Sequence, residues 1–272
     1  MLSNFKIKMT SYTLKKKYIE QGYAYLDNKS IKPHLFKIRE IINSYMPEIT
    51  KYYIEENYKV FHKRNVEILK CIYKNVNVKS FKANAAKEIA RKIGIKYDFL
   101  TSSFISYLAT RPSNKGGKIH ADHEYVDFHR ENFYTDQEYA NQQINVWVPL
   151  FDINLRQNFK FVPNSHLIDD EKIITRREQN KYIKKHSDAH MCGLNYAPKR
   201  IVSGVNLNNA RRFNVPKNKF LILNANLIHG GGKNLSNKIR FAISFSIIEK
   251  KYFQNIKIPI NFRSKKPHFV SL

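Results

Sequence analysis

The sequence of 272 residues predicts a mainly β fold with flanking helices. Three observations carry that prediction. Residues 11–95 place apolar side chains at helical spacing, whereas beyond residue 96 the period changes to two. The segments with that shorter period are rich in Val, Ile, Phe and Tyr. Pro, Asn and Gly turns separate them at short intervals, the pattern of an all-β sandwich or jelly roll.

Taken in order, Ser11 can cap a short helix that runs to about Glu20 and stops at Gly22. Pro33 suits a first turn, and Leu35, Ile38, Ile41, Ile42 and Tyr45 then share one helical face. Met46-Pro47 marks a break. Ile49, Tyr52, Tyr53, Tyr58, Phe61, Ile68, Leu69, Ile72 and Tyr73 form a second amphipathic pattern, and a third helix runs from about Ser80 to Ile93 and ends at Gly94. Strands are expected at 99–109, 142–150, 159–162, 211–215, 220–223 and 240–248. The polar stretch 168–190 reads as a helical insertion. There is no internal repeat and no low-complexity linker. The economical organisation is one domain over 1–272: a helical flank (1–95), a β core (96–250) with an insertion (168–215), and a basic C-terminal tail (251–272).

Hydrophobic content of 42% excludes wholesale disorder. No apolar run approaches the ~20 residues of a membrane-spanning helix. The first ten residues lack an apolar signal region with a small-residue cleavage site. Two cysteines, Cys71 and Cys192, are too few for a disulfide scaffold. The expected compartment is a reducing cytoplasm. The 48 basic against 22 acidic residues leave a formal charge of +26. Such a field draws in phosphorylated sugars, anionic lipid surfaces or nucleic acid. A solvated, lysine-rich surface explains the same composition, because no dense basic block stands out.

His120-Ala121-Asp122 separates a histidine and a carboxylate by two positions. On an extended strand both project to one face and can reach one metal. A simple surface pair has the same spacing. His229 opens the run His-Gly-Gly-Gly-Lys-Asn-Leu-Ser-Asn-Lys-Ile-Arg, in which the glycines leave room for backbone to close around a ligand. Arg240 ends that run and begins a strand, where a guanidinium can hold a carboxylate through two parallel hydrogen bonds; an internal salt bridge is the alternative. Two histidines and one carboxylate on one face of Fe(II) leave three positions open, as in non-heme oxygenases. Gln143, Asn145 and Trp147 alternate with Ile144, Val146 and Val148. If the first set faces inward, Gln143 or Asn145 can bond a small molecule while Trp147 packs. His123 and His129 read as ordinary polar residues. His186 and His190 have zinc-like spacing with Cys192 beside them, but without a fourth ligand nearby a solvated helix is the simpler reading.

The run His229-Gly-x-Gly-x-Asn234-x-Ser236-x-x-x-Arg240 resembles the C-terminal signature of the phytanoyl-CoA dioxygenase-like branch of Fe(II)/2-oxoglutarate oxygenases. Asn145-Val-Trp-Val-Pro-Leu-Phe-Asp152 and Phe161-Val-Pro-Asn-Ser-His166 resemble its middle strands, with Asn164 where glycine is usual. With His120 and Asp122 the similarity covers roughly residues 99–248. It implies a double-stranded β-helix, cupin-like core and the cofactors Fe(II) and 2-oxoglutarate. It implies His120, Asp122 and His229 as the catalytic iron ligands, with Arg240 on the distal carboxylate of 2-oxoglutarate. Ser236 would orient the loop before Arg240 or simply form its turn. His166 would fix its own turn and is not assigned to iron. The implied reaction consumes O2, decarboxylates 2-oxoglutarate to succinate and hydroxylates a small or carrier-linked substrate. Related halogenases replace the ligand carboxylate with a small residue, so Asp122 favours hydroxylation. Charge and the long stretch after His166 lean toward an anionic metabolite such as a carbohydrate precursor, and nucleic acid is not the expected partner. The alternative is a non-catalytic jelly-roll module that binds nucleic acid or an anionic polymer.

Overall fold

The computed structural model describes residues 14–54, 58–112, 114–115, 118–119, 141–177, 199–230, 234–254, 258, 267 and 269–272. Helix α1 (residues 14–21) ends at Gly22, whose φ is +75° and where a Cβ would lie 2.7 Å from Nδ1 of His166. Both the left-handed backbone and the missing space demand glycine there. The cap expected at Ser11 lies outside the described residues. Strand β1 (Tyr23–Asp27) follows, an element that no local sequence pattern marks.

Helix α2 (Lys32–Ile54) contains Pro47 in its interior, which corrects the expected break at Met46-Pro47. Ile38, Ile42 and Ile49 are all buried, before and after the proline. Their packing outweighs the roughly 3 kcal/mol that an interior proline costs. Helix α3 is Tyr58–Asn75. Helix α4 (Val78–Ile93) starts earlier than Ser80, because the Asn77 side chain accepts from the Ser80 amide at 2.9 Å, and it ends at left-handed Gly94.

The remaining strands are β2 (Phe99–Ser102), β3 (Ser106–Thr110), β4 (Asn114–Lys115), β5 (Lys118–Ile119), β6 (Ile144–Pro149), β7 (Lys160–Phe161), β8 (Ile174–Arg177), β9 (Lys199–Ser203), β10 (Arg211–Arg212), β11 (Lys219–Asn224), β12 (His229–Gly230), β13 (Arg240–Glu249) and β14 (Phe269–Ser271). The single strand expected over 99–109 is therefore two. Where a helical insertion was expected from residue 168, a single 3-10 turn (Asp170–Lys172) is followed by a strand: β8 pairs with β9, and the β-branched Ile174 and Thr175 suit that state. The tail is not merely basic, since β14 adds to β2 through Phe269, which is buried.

Seven strands form an antiparallel sheet in the order β1-β11-β6-β13-β2-β14, with β3 also on β13; β10-β7-β12 form a second sheet. One face of the large sheet carries Val146, Val148, Ile243, Phe245 and Ile247 against Ile38, Ile42, Phe61, Phe81 and Ile89 of the helices. The other face carries Trp147, Leu221, Leu223 and Ala242 against Phe159, Phe161 and Phe213 beside the small sheet. The fold is thus mainly sheet with a few helices, and its two layers meet over an aromatic interior. Among the described residues no helix is long and apolar enough to cross a membrane.

Candidate active site

The inner face of the large sheet positions the residues of interest. In β13, Arg240, Ala242, Ser244 and Ser246 alternate onto that face. Register sets Arg240 opposite Thr110, Ala242 opposite Pro149, Ser244 opposite Trp147 and Ser246 opposite Asn145. On the small sheet His229 lies opposite Phe161, and its ring meets that of Phe159 edge-on at 6.1 Å. Phe159 in turn packs on Trp147 with centroids 5.2 Å apart. His229 therefore looks into the same aromatic interior as β13.

His229 is buried, and its Nδ1 lies 2.8 Å from the Leu227 carbonyl oxygen. A carbonyl can only accept, so Nδ1 carries a proton, and in the neutral ring the lone pair belongs to Nε2. That tautomer is the one a metal needs, with the second nitrogen fixed by a hydrogen bond.

Arg240 is also buried, and its guanidinium donates to the Gln157 carbonyl and, at 2.9 Å, to the Thr110 hydroxyl. Both partners are neutral. Nε is buried without an acceptor, and among the described residues no carboxylate pairs with Arg240. The internal salt bridge that competed with a ligand role is thus not found among them. Burial, with repulsion from Arg212 as a second cause, lowers its pKa to about 10, so it remains a cation at neutral pH. A buried cation lacking a counter-charge is costly. An entering carboxylate would supply that charge and occupy Nε.

The loop before Arg240 is held by Asn234, which is fully buried. Its Nδ2 donates to the Thr110 and Lys238 carbonyls at 3.0 and 2.7 Å, and its Oδ1 accepts from the Ser236 amide and hydroxyl at 3.2 and 2.8 Å. Ser236 thus touches Asn234 and the Lys238 backbone, which shapes the turn. Asn164 adopts the left-handed conformation that glycine usually supplies, at φ 60°. His166 donates from Nε2 to the Ile19 carbonyl at 2.8 Å, tying its turn to α1.

Not all of the expected residues converge. Asn145 is buried on the inner face and accepts from the Ser246 hydroxyl at 2.8 Å. Ser246 is six positions along β13 from Arg240, roughly 20 Å at ~3.3 Å per residue. Asn145 is instead level with Leu223, Tyr23 and, through Tyr23, Phe161 beside His229. Gln143 lies further still, its carbonyl accepting from Ala225. His120, Asp122, His123, His129, His186, His190 and Cys192 lie outside the described residues. Thr110 and Gln157, which hold Arg240, carry no mark in the sequence; nothing in their local pattern signals a hydroxyl or carbonyl facing a strand 130 or 83 residues away. A cavity of about 510 Å³ lined by Met46, Thr50, Phe151, Gln157 and Phe241 lies toward α2, and His229 does not line it.

The profile of the phytanoyl-CoA dioxygenase (PhyH) family matches residues 31–242. No curated protein sequence matches the chain. The fold is similar to that of EvdO2 from Micromonospora carbonacea var. aurantiaca, solved in complex with 2-oxoglutarate, at 11% identity and a TM-score of 0.51, covering 88% of this chain and 90% of that one. It is similar also to SnoK, a non-heme α-ketoglutarate-dependent carbocyclase from nogalamycin biosynthesis, at 13% identity and a TM-score of 0.50, covering 89% and 85%. At these identities the likeness is one of fold.

Proposed function

The chain belongs to the phytanoyl-CoA dioxygenase family, an oxygenase family that uses iron and 2-oxoglutarate, and from that premise we propose that it hydroxylates a small or carrier-linked anionic metabolite, such as a carbohydrate precursor. The two sheets would form a double-stranded β-helix, with the reaction in the interior between them. The observation that carries the reading is buried Arg240, a cation with no carboxylate partner among the described residues, on the inner face that His229 also faces.

In this reading His229 offers Nε2 to iron, and His120 and Asp122 complete the ligand set. Bound iron with 2-oxoglutarate would supply the oxidising power for hydroxylation, at the cost of O2 and of decarboxylation of 2-oxoglutarate to succinate. Arg240 would hold the distal carboxylate with its guanidinium fork, whose Nε is buried without an acceptor, a role lysine cannot copy. Thr110 and Gln157 hold the guanidinium so that little side-chain freedom is lost on binding. Trp147, Phe159 and Phe161 keep the interior dry, which strengthens the charge pairing. Asn145 is too far along the sheet to share that carboxylate, and its place level with Phe161 suits a contact nearer the metal or the substrate. Asp122 retains the ligand carboxylate and favours hydroxylation over halogenation.

The test is an anaerobic visible spectrum as Fe(II) and 2-oxoglutarate are added in turn. A charge-transfer band that needs both, and that disappears in His229→Ala, Asp122→Ala and Arg240→Ala, is the expected result. A folded, iron-loaded protein without the band would overturn the reading in favour of a binding module for anionic polymers.

A further inference from the structure

Among the described residues the β8–β9 ribbon hydrogen-bonds to neither of the two larger sheets. Its register sets Arg176 opposite Arg200 and Arg177 opposite Lys199. Like charges at directly facing positions of an antiparallel pair destabilise it; by strand alternation the Arg176–Arg200 position shares the face of Ile174, and the Arg177–Lys199 position shares that of Ile201. Arg176 is exposed and, among the described residues, no carboxylate pairs with it. The acids at the base of the ribbon are engaged there: Asp169 holds Lys172 at 3.0 Å, and Asp170 accepts from Asn141.

The same ribbon exposes aliphatic side chains. Ile174 is 60% and Val202 61% exposed, among the most exposed large apolar residues described, and Leu167 in the turn before the ribbon reaches 64%. A register shift between Ile174 and Thr175 leaves Val202 as the extra residue of a bulge. Ile201, by contrast, packs on Val162, Ile173 and Ile228. One side of the ribbon is therefore anchored to the body beside Ile228, the neighbour of His229. The other carries exposed Ile174, Val202 and Arg176, with Arg200 at the register position that faces Arg176.

We propose that this ribbon docks the protein on an anionic lipid bilayer. Its cations would neutralise headgroup phosphates, and Ile174 and Val202 would enter the acyl boundary. The phosphates relieve the cross-strand repulsion, and the net charge of +26 provides long-range attraction to the same surface. Nucleic acid shares the phosphate chemistry but is gripped by aromatic stacking, whereas the exposed apolar residues of the ribbon are aliphatic. The proposal rests on the ribbon alone and stands or falls independently of the iron chemistry.

The experiment is flotation of the full chain with vesicles of phosphatidylcholine alone or of phosphatidylcholine and phosphatidylglycerol at about three to one. Wild type binds only the anionic vesicles. Arg176→Gln with Arg200→Gln lowers the partition coefficient about thirtyfold, some fivefold for each cation removed, and its melting temperature holds or rises as the repulsion is relieved. Ile174→Ser with Val202→Ser lowers binding severalfold and leaves the salt dependence intact. In both pairs the affinity for 2-oxoglutarate matches wild type. Unchanged vesicle binding in both pairs overturns the proposal. So does equal binding to neutral vesicles, displacement by inorganic phosphate at constant ionic strength, or tighter, ribbon-dependent binding to a DNA duplex.

Discussion

The two faces of the large sheet are built from the same strands and differ in what they bury. On the outer face β6 and β13 present Val146, Val148, Ile243, Phe245 and Ile247 to the helices, an apolar contact throughout. On the inner face the alternating positions are Asn145, Trp147, Arg240, Ala242 and Ser246, of which Trp147 and Ala242 pack against the aromatic residues of the small sheet. Every residue of β6 is buried on either side. Burial alone therefore does not tell the two faces apart; the presence of polar groups in the interior does. Holding such groups away from water costs free energy unless they are partnered. The inner face carries that cost at Arg240, where a ligand would lift it.

The largest effect should come from the outer face. Phe245 is buried and meets Phe81 edge-on at 5.8 Å. Phe245→Ala should lower unfolding free energy by about 3–5 kcal/mol in urea titration, while the folded fraction keeps its affinity for 2-oxoglutarate. A selective loss of that affinity would mean that the faces are not functionally separate.

Arg240 is the converse test. Arg240→Ala should weaken 2-oxoglutarate about a hundredfold, since hydrogen bonds to charged groups contribute about 1.5–3 kcal/mol each, and Arg240→Lys should recover only part of that. Isothermal titration of the iron-loaded protein checks both. Deprotonation removes the attracting charge, so wild-type affinity should stay level through neutral pH and decline as pH rises past about 10, the pKa that burial sets. An affinity insensitive to Arg240→Ala would take the cosubstrate elsewhere.

The sequence made one half of this comparison legible. The alternation of Gln143, Asn145 and Trp147 is visible in it, as is the start of a strand at Arg240, because both depend on near neighbours. Which set faces inward, and how far Asn145 lies from Arg240, depend on the register between β6 and β13, which is set by long-range pairing. The same limit hides Thr110 and Gln157. Local signals mislead at Pro47, where packing overrides a helix breaker, and at Ile174–Arg177, where polar residues look helical but pair with a strand that begins at Lys199. Strand β1 is a five-residue run too short to establish a period by itself, and its partner, β11, is nearly 200 residues away in sequence.

Lys82 breaks the apolar rule behind the outer face. It is buried on α4, donates to the Ser102 carbonyl at 2.7 Å, and burial lowers its pKa from 10.5 to about 8. The unfolded chain keeps this proton up to 10.5 and the folded chain only to about 8. Stability should therefore rise with pH across that window. Lys82→Met should stabilise the fold at pH 7 by about 2 kcal/mol: removing the buried charge recovers about 3 kcal/mol of desolvation, and the lost hydrogen bond takes back about 1 kcal/mol. The advantage should fade as pH climbs beyond 8. A variant less stable than wild type at pH 7 would show that the Ser102 bond dominates.

The smallest expected effect is the most discriminating for the inner face. The Ser246 hydroxyl donates to Asn145 Oδ1 at 2.8 Å, a neutral bond whose loss should cost about 1 kcal/mol. Ser246→Ala leaves the strand intact and releases one restraint on the Asn145 amide. If Asn145 lies beyond the reach of the carboxylate that Arg240 holds, affinity for 2-oxoglutarate should change by less than about threefold while stability falls by about 1 kcal/mol. A tenfold loss of affinity with the same small loss of stability would break the separation between the two ends of the inner face. A five-carbon acid held by Arg240 is too short to span the ~20 Å to Ser246, so that result would move the cosubstrate away from Arg240 and toward Asn145.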